Sequence, residues 1–248
     1  MLIPKVLHYC WFGHNPLPPL AIKCIESWKK YLPDYEIKEW NEDNFDVNII
    51  PYTAEAYKAK KYAFVSDYAR FWILYHYGGL YFDTDVEVIR QMDDIIECGP
   101  FMGCETDAKP GTMTIGVNPG LGLGGNSGLG LYKKILDMYA VEKFVWEGLG
   151  KTKTVVEFTT ELLFKEGLKN EIGIQEVGGV WIYPSDYFCP LNIITSHLHI
   201  TENTRSIHRN AATWVEKSRM TILKYAIRRH LPEWLLIWYN RRPWRKLL

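Results

Sequence analysis

The chain has 248 residues, 47% hydrophobic and 23% charged, which suits one globular domain with a sizeable core and excludes low-complexity disorder and collagen-like repetition. Its 29 basic and 29 acidic residues cancel, so net charge gives no argument for nucleic acid or an acidic polymer as a partner. The aromatic load is heavy, at 10 Trp, 16 Tyr and 10 Phe; much of it must be core, but such rings also stack on sugars and bases. The five cysteines, Cys10, Cys24, Cys98, Cys104 and Cys189, are scattered and form no C-x-x-C pair. Neither a disulfide framework nor a thiolate zinc site is expected, and reduced thiols in a cytoplasmic protein fit better. The N-terminus lacks the long apolar region of a signal peptide, and no segment approaches the ~20 apolar residues that span a bilayer.

In chain order, Ile3 to Phe12 reads as a buried strand ended by Gly13 and the prolines Pro16, Pro18 and Pro19. Leu20 to Tyr31 has apolar residues at helical spacing and stops before Pro33, and Tyr35 to Trp40 reads as a second strand. Strand, helix and strand in this order suggest an α/β nucleotide-binding half. Tyr52 to Lys60 and Tyr62 to Tyr77 read as helices, the second apolar almost all round and therefore buried, with Ser66, Asp67 and Arg70 as its polar exceptions. Leu80 to Phe82 is a short strand delivering Asp83-Thr84-Asp85, and Val86 to Ile89 continues extended. Phe101 to Cys104 and Thr112 to Val117 are further strand candidates, and a glycine-rich stretch, Gly116 to Gly130, whose glycines from Gly120 to Gly125 read as a flexible loop, runs on into the next helix. Helices are expected around Leu131 to Tyr139 and Val155 to Lys165, a strand at Gly179 to Tyr183, and irregular polar chain from Leu191 to Arg209. From Trp214 onward the sequence reads as two helices broken near Pro232. Charge is unevenly spread: residues 217–248 hold nine Lys or Arg and one acid, Glu233, a net of +8 against −8 for the rest.

An apolar strand ending in D-x-D places two carboxylates at a sheet's edge, where open α/β sheets bind ligands. Two hard oxygen ligands at that spacing suit Mg²⁺ or Mn²⁺, which in turn can hold a diphosphate. Alone, the motif is more commonly a solvated acidic turn. Asp67 and Arg70, three apart on one helix face just before this strand, read either as a buried ion pair or as a charged pair meeting ligand hydroxyls beside the metal. Two misreadings fall away. Gly120 to Gly125 matches G-x-G-x-x-G, but it lies mid-chain after Pro119 with no following strand that ends in an acid. The aspartyl-phosphatase pattern D-x-D-x-[TV] fails because its fifth position is Glu87.

The combined string S-D-x-x-R followed by G-G-x-Y-x-D-x-D resembles the DXD-containing sugar transferases of glycosyltransferase family 32, which include bacterial capsule and lipopolysaccharide enzymes. The N-terminal I-P-K-V-L-H-Y-C-W-F-G and the later S-I-H-R-N-A-A-T-W fit the same family; the likeness covers the first hundred residues, lapses, and returns near residues 206–214. It implies an α/β, GT-A fold: a Rossmann-like nucleotide-binding sheet merged with an acceptor-binding half over residues 1–213, followed by a basic, aromatic helical segment, 214–248. It also implies retaining transfer from a UDP- or GDP-linked sugar to a glycan or lipid-linked acceptor, with Mn²⁺ or Mg²⁺. Carried over, Trp11 would stack on the base; Ser66, Asp67 and Arg70 would contact ribose or sugar hydroxyls; Asp83 would approach the ribose and the metal, and Asp85 would ligate it. His208 would complete the metal site and Trp214 would lie near the donor phosphates. Arg209 and Thr213 depart from the histidine and serine common in relatives, and His197 and His199 form an H-x-H pair read as part of a polar surface loop. No catalytic nucleophile is assigned; Glu105 and Asp107 follow a candidate strand, but spacing alone does not qualify them. A nucleotide-sugar hydrolase and a non-catalytic nucleotide-sugar or glycan binder are the alternatives. The basic segment, rich in Trp and Leu, suggests attachment to an anionic membrane face at the cytoplasmic side, or else packing on the catalytic domain.

Overall fold

A computed structural model describes residues 2–109, 114–148, 152–192, 195–211 and 231–240. Strand β1 (Val6–Cys10) runs through Trp11 and the proline cluster into helix α1 (Pro19–Tyr31), whose first turn takes Pro19 because that position has no intrahelical partner for an N–H. α1 buries Ala21, Cys24, Ile25 and Trp28 along one face. Strand β2 (Glu36–Trp40), helix α2 (Pro51–Lys58) and helix α3 (Tyr62–Tyr77) follow. α3 buries nine residues, including Asp67 and Arg70, as its apolar circumference requires. It ends at Gly78 and Gly79, both with positive φ; at Gly79 a side chain would meet the Val6 carbonyl at 2.4 Å, so only glycine lets strand β3 (Gly79–Tyr81) start against β1.

Next come strand β4 (Val86–Val88), helix α4 (Asp93–Cys98), strand β5 (Phe101–Thr106) and strand β6 (Gly116–Gly125). Helices α5 (Gly130–Val141) and α6 (Val155–Lys165) are followed by the hairpin of β7 (Gln175–Val177) and β8 (Val180–Tyr183). Helix α7 (Ser185–Phe188), strand β9 (Ser206–His208) and helix α8 (Glu233–Asn240) complete the described elements. The larger sheet has the order β2-β1-β3-β6-β5-β8-β7. β2, β1 and β3 are parallel, as expected of a nucleotide-binding half; β6 runs antiparallel to both neighbours and joins this half to the β5-β8-β7 portion. β4 and β9 form a separate antiparallel pair. Because strand side chains alternate, Leu7, Leu80 and Phe101 feed a core on one face with Trp28 and Phe188. Cys10, Tyr81 and Met102 feed the other, with residues of α2, α3, α5 and α6.

The mixed α/β expectation is met, and several local expectations change. Gly120 to Gly125 do not form a flexible loop but belong to a fully buried strand, Gly116–Gly125, in the middle of the sheet. The strand expected from Thr112 begins at Gly116, residues 112 and 113 lying outside the described residues. The irregular stretch before Arg209 contains β9, and α4, β7 and α7 have no counterpart in the sequence reading. Of the two helices expected after Trp214, the second is α8, starting just after Pro232; the first falls outside the described residues.

Candidate active site

The parallel strands β1 and β3 end side by side, and chain leaving such ends carries Trp11 from one and Asp83 from the other. Above them lies a cavity of about 620 Å³ lined by Trp11, Ser66, Asp67, Arg70, Asp83, Asp85 and His208. These are all of the expected site residues except Trp214, which lies outside the described residues.

Arg70 is the hub of the cluster. Its Nε donates to the Ser66 carbonyl at 3.2 Å, and its Nη2 lies 2.9 Å from Asp67 Oδ1 and 3.1 Å from Asp83 Oδ1. Tyr81 donates its hydroxyl to the same Asp83 oxygen at 2.9 Å. Asp67 and Arg70 form the buried ion pair that the sequence allowed, and that pair is also part of the cavity wall. Arg70 Nη1 is buried with no hydrogen-bond partner. Burial pushes the Asp67 carboxyl up to about 7, Arg70 pulling against it and Asp83 adding to the rise. Asp83 is likewise raised by burial, with Arg70 opposing. Two carboxylates thus share one guanidinium out of water.

Asp85 faces the other way. β9 pairs with β4 so that His208 stands opposite Val86, which brings its Nε2 to 3.1 Å from Asp85 Oδ1; the Ala211 N–H donates to Asp85 Oδ2 at 2.7 Å. Burial disfavours both charges, yet the His208 contact holds Asp85 below the usual carboxylate range and Asp85 holds His208 well above the ordinary imidazole range. Arg209, the departure from the family pattern, turns away to pair with Glu87, which Lys23 also contacts at 2.9 Å. Asp83, Asp85 and His208 bring one ligand atom each to within 4.8 Å of one another. Three carboxylates, Asp67, Asp83 and Asp85, face one guanidinium and one imidazole, and a hard divalent ion suits that excess of negative oxygen donors. The structure therefore fits the ion expected from sequence. His199 instead lies 3.2 Å from Glu233, and neither it nor His197 lines the cavity.

Two cavity residues, Asn118 and Asn210, have no place in the sequence analysis, and Glu105 has no role assigned there. Asn118 accepts the Gly120 N–H at 2.8 Å and donates to Glu105 Oε2 at 2.9 Å, so β5 and β6 present a joined amide and carboxylate to the cavity. Asn210 also lines it, next to His208. Asn118 is hidden in a glycine-rich stretch; a lone Asn among apolar residues is the available signal.

Residues 18–101, which hold Ser66, Asp67, Arg70, Asp83 and Asp85, match the family described as the glycosyltransferase sugar-binding region containing a DXD motif. Over these residues the chain is similar to that DXD-containing glycosyltransferase family. It is 32% identical over 98 residues to an inositol phosphoceramide mannosyltransferase of Schizosaccharomyces pombe, a match covering 38% of this chain and 27% of that protein. Over 105 residues it is 29% identical to the mannosyl phosphorylinositol ceramide synthase of Saccharomyces cerevisiae, covering 41% and 28%. Little more than a quarter of either relative's length is therefore spanned. Among solved structures the chain is similar to the PaToxG glycosyltransferase, with a TM-score of 0.49 and 18% identity, covering 66% of this chain and 70% of that one.

Proposed function

We propose that this chain transfers a hexose from a UDP- or GDP-linked sugar to a hydroxyl of a glycan or lipid-borne acceptor, with retention and with Mn²⁺ or Mg²⁺ at Asp83, Asp85 and His208. The observation that carries this reading is that one cavity joins the Arg70-centred cluster to the Asp85–His208 pair at the ends of the parallel strands. When bound, the ion would neutralise negative charge gathering on the departing diphosphate. Trp11 offers its ring to the base, held in place by donating Nε1–H to the Asn15 carbonyl at 2.6 Å. The unpartnered Nη1 of Arg70 and the carboxylate of Asp67 suit a hydroxyl that both donates and accepts. Glu105 and Asn118 offer the same complementarity further along the wall. Retention rests on the family likeness alone.

One fungal relative is named as a mannosyltransferase of inositol phosphoceramide and the other as a synthase of mannosyl phosphorylinositol ceramide, so the capsular and lipopolysaccharide setting has no support from them. A lipid-borne acceptor fits both settings, and mannose is the first donor sugar to test. The experiment is a panel of nucleotide hexoses with and without Mn²⁺ and with and without a glycolipid or sugar acceptor. Acceptor-dependent transfer is expected, and Asp85→Asn should lower it about 100-fold or more while the protein stays folded. Full activity in excess chelator overturns the metal role. Sugar release to water regardless of acceptor identifies a hydrolase, and donor binding with no turnover identifies a binding protein.

A further inference from the structure

Helix α8 has the sequence EWLLIWYN, and its exposure is uneven. Leu236 is 4% exposed, whereas Trp234 is 70% and Trp238 51% exposed. Four residues apart, the two tryptophans share one face of the helix. The helix is tied down at its start: Glu233 Oε1 accepts from Thr195 Oγ1 at 3.1 Å and lies 3.2 Å from His199 Nε2. That contact sets α8 beside the 195–200 loop, whose Leu198 and Ile200 are 40% and 48% exposed. Large apolar side chains thus meet solvent on a helix and on the loop that anchors it.

In the sequence, the charge flanking α8 is almost all of one sign. Residues 217–248 carry nine Lys or Arg, among them Arg228 and Arg229 before α8 and Arg241, Arg242, Arg245 and Lys246 after it. Their single acid is Glu233, whose carboxylate is already engaged by His199 and Thr195. The partner must therefore be anionic and must also accept indole rings and aliphatic side chains. A nucleic acid meets the first condition; a bilayer of anionic lipid meets both, since tryptophan favours the boundary between headgroups and acyl chains. Eight helical residues span about 12 Å, too short to cross a bilayer but able to lie along it. Among the described residues no helix is long and apolar enough to cross a membrane.

We infer that the face formed by Trp234, Trp238, Leu198 and Ile200 docks on an anionic bilayer surface. The inference stands independently of the proposed transfer. Where both hold, Ile200 of that face lies eight residues before His208 in the chain, and Arg90 fixes the path between them by donating to the Thr201 and Glu202 carbonyls at 2.8 and 2.7 Å. A membrane-borne acceptor would then be held near the cavity.

The test is co-sedimentation of the full chain with phosphatidylcholine vesicles, with and without phosphatidylserine, at low and high salt. Partition onto the anionic vesicles should be about tenfold or more stronger and should fall with salt. The double variant Trp234→Ala/Ile200→Ala should lose about tenfold of that partition, with an unchanged melting temperature and unchanged transfer to a soluble acceptor. Equal partition onto both vesicles overturns the inference, as does a double variant that sediments like the parent. A double variant that sediments unchanged but drops from dimeric to monomeric mass in solution would assign the face to a second copy of the chain.

Discussion

His8 lies in the middle of β1 with both ring nitrogens engaged: Nε2–H donates to the Gly78 carbonyl at 3.0 Å, and Nδ1 accepts from Trp40 Nε1–H at 3.0 Å. The ring therefore ties β1 to the end of α3 and to β2, holding the start of the strand that delivers Asp83. This arrangement needs the neutral imidazole. Burial lowers the His8 pKa to about 4; the Gly78 contact works against that fall and Lys38 adds to it. Since the folded value lies below the unfolded one of 6.5, the stabilisation is fully present above pH 6.5 and is lost as pH falls toward 4. Between pH 7 and pH 5 the loss from this group is about 2 kcal/mol. Urea unfolding of the parent and of His8→Gln at the two pH values measures it: the parent should lose about 2 kcal/mol more than the variant, and parallel losses would remove His8 as the cause. Arg70 and Asp67 show the same economy at residue scale, since one buried ion pair both closes the core beneath α3 and lines the cavity.

At the scale of elements, β6 explains why its sequence misleads. Its ladder with β5 jumps from Gly103↔Asn118 to Met102↔Leu123, so residues 119–122 bow out of the pairing. Pro119 has no N–H to give a ladder, which makes the bow natural there. The Gly120 carbonyl accepts the Asp83 N–H at 3.0 Å, and a Cβ on Gly120 would lie 2.0 Å from Asp83 Oδ2. The glycine is thus space for a carboxylate. Gly120→Ala should swing the Asp83 side chain rather than unfold the strand, costing about 1 kcal/mol of stability but about 100-fold in kcat/KM. Comparing melting temperature with transfer rate separates the two, and loss of both together would mean that the strand itself is broken. Helices at 62–77 and 155–165 were legible because their apolar periodicity and ends are local. β6 was not, because Gly and Pro favour turns unless long-range packing overrides them, and here Phe101, Tyr132 and Asp83 fill the space that side chains would take. β9 has three residues and no local signal; pairing with β4 creates it. The site was legible where the D-x-D string and the motif containing His208 carried family resemblance, and illegible at Glu105 and Asn118, whose role appears only when two strands are joined.

Across the whole molecule, the site is held together by segments remote in sequence: Trp11 after β1, Asp67 and Arg70 on α3, Asp83 and Asp85 after β3, Asn118 on β6 and His208 on β9. The β4-β9 pair is separate from the larger sheet, so His208 is fixed to Asp85 through three ladder positions and the contact between the two side chains. A ligand that bridges these parts binds the folded chain and has no comparable site in the unfolded one, where Asp85 and His208 are far apart in sequence. At a concentration 100 times its Kd such a ligand stabilises by about 2.7 kcal/mol. For a chain of this size that corresponds to a rise of roughly 5–10 °C in melting temperature. Mn²⁺ with a nucleoside diphosphate should raise it more than either alone, because the ion and the diphosphate are expected to hold one another. Asp85→Asn and His208→Ala should abolish the part due to the ion, whereas Trp11→Ala should reduce only the part due to the nucleotide. Melting curves of the four proteins with each ligand and with both provide the measurement. An Mn²⁺ shift that survives in both Asp85→Asn and His208→Ala would place the ion somewhere other than the Asp83–Asp85–His208 cluster.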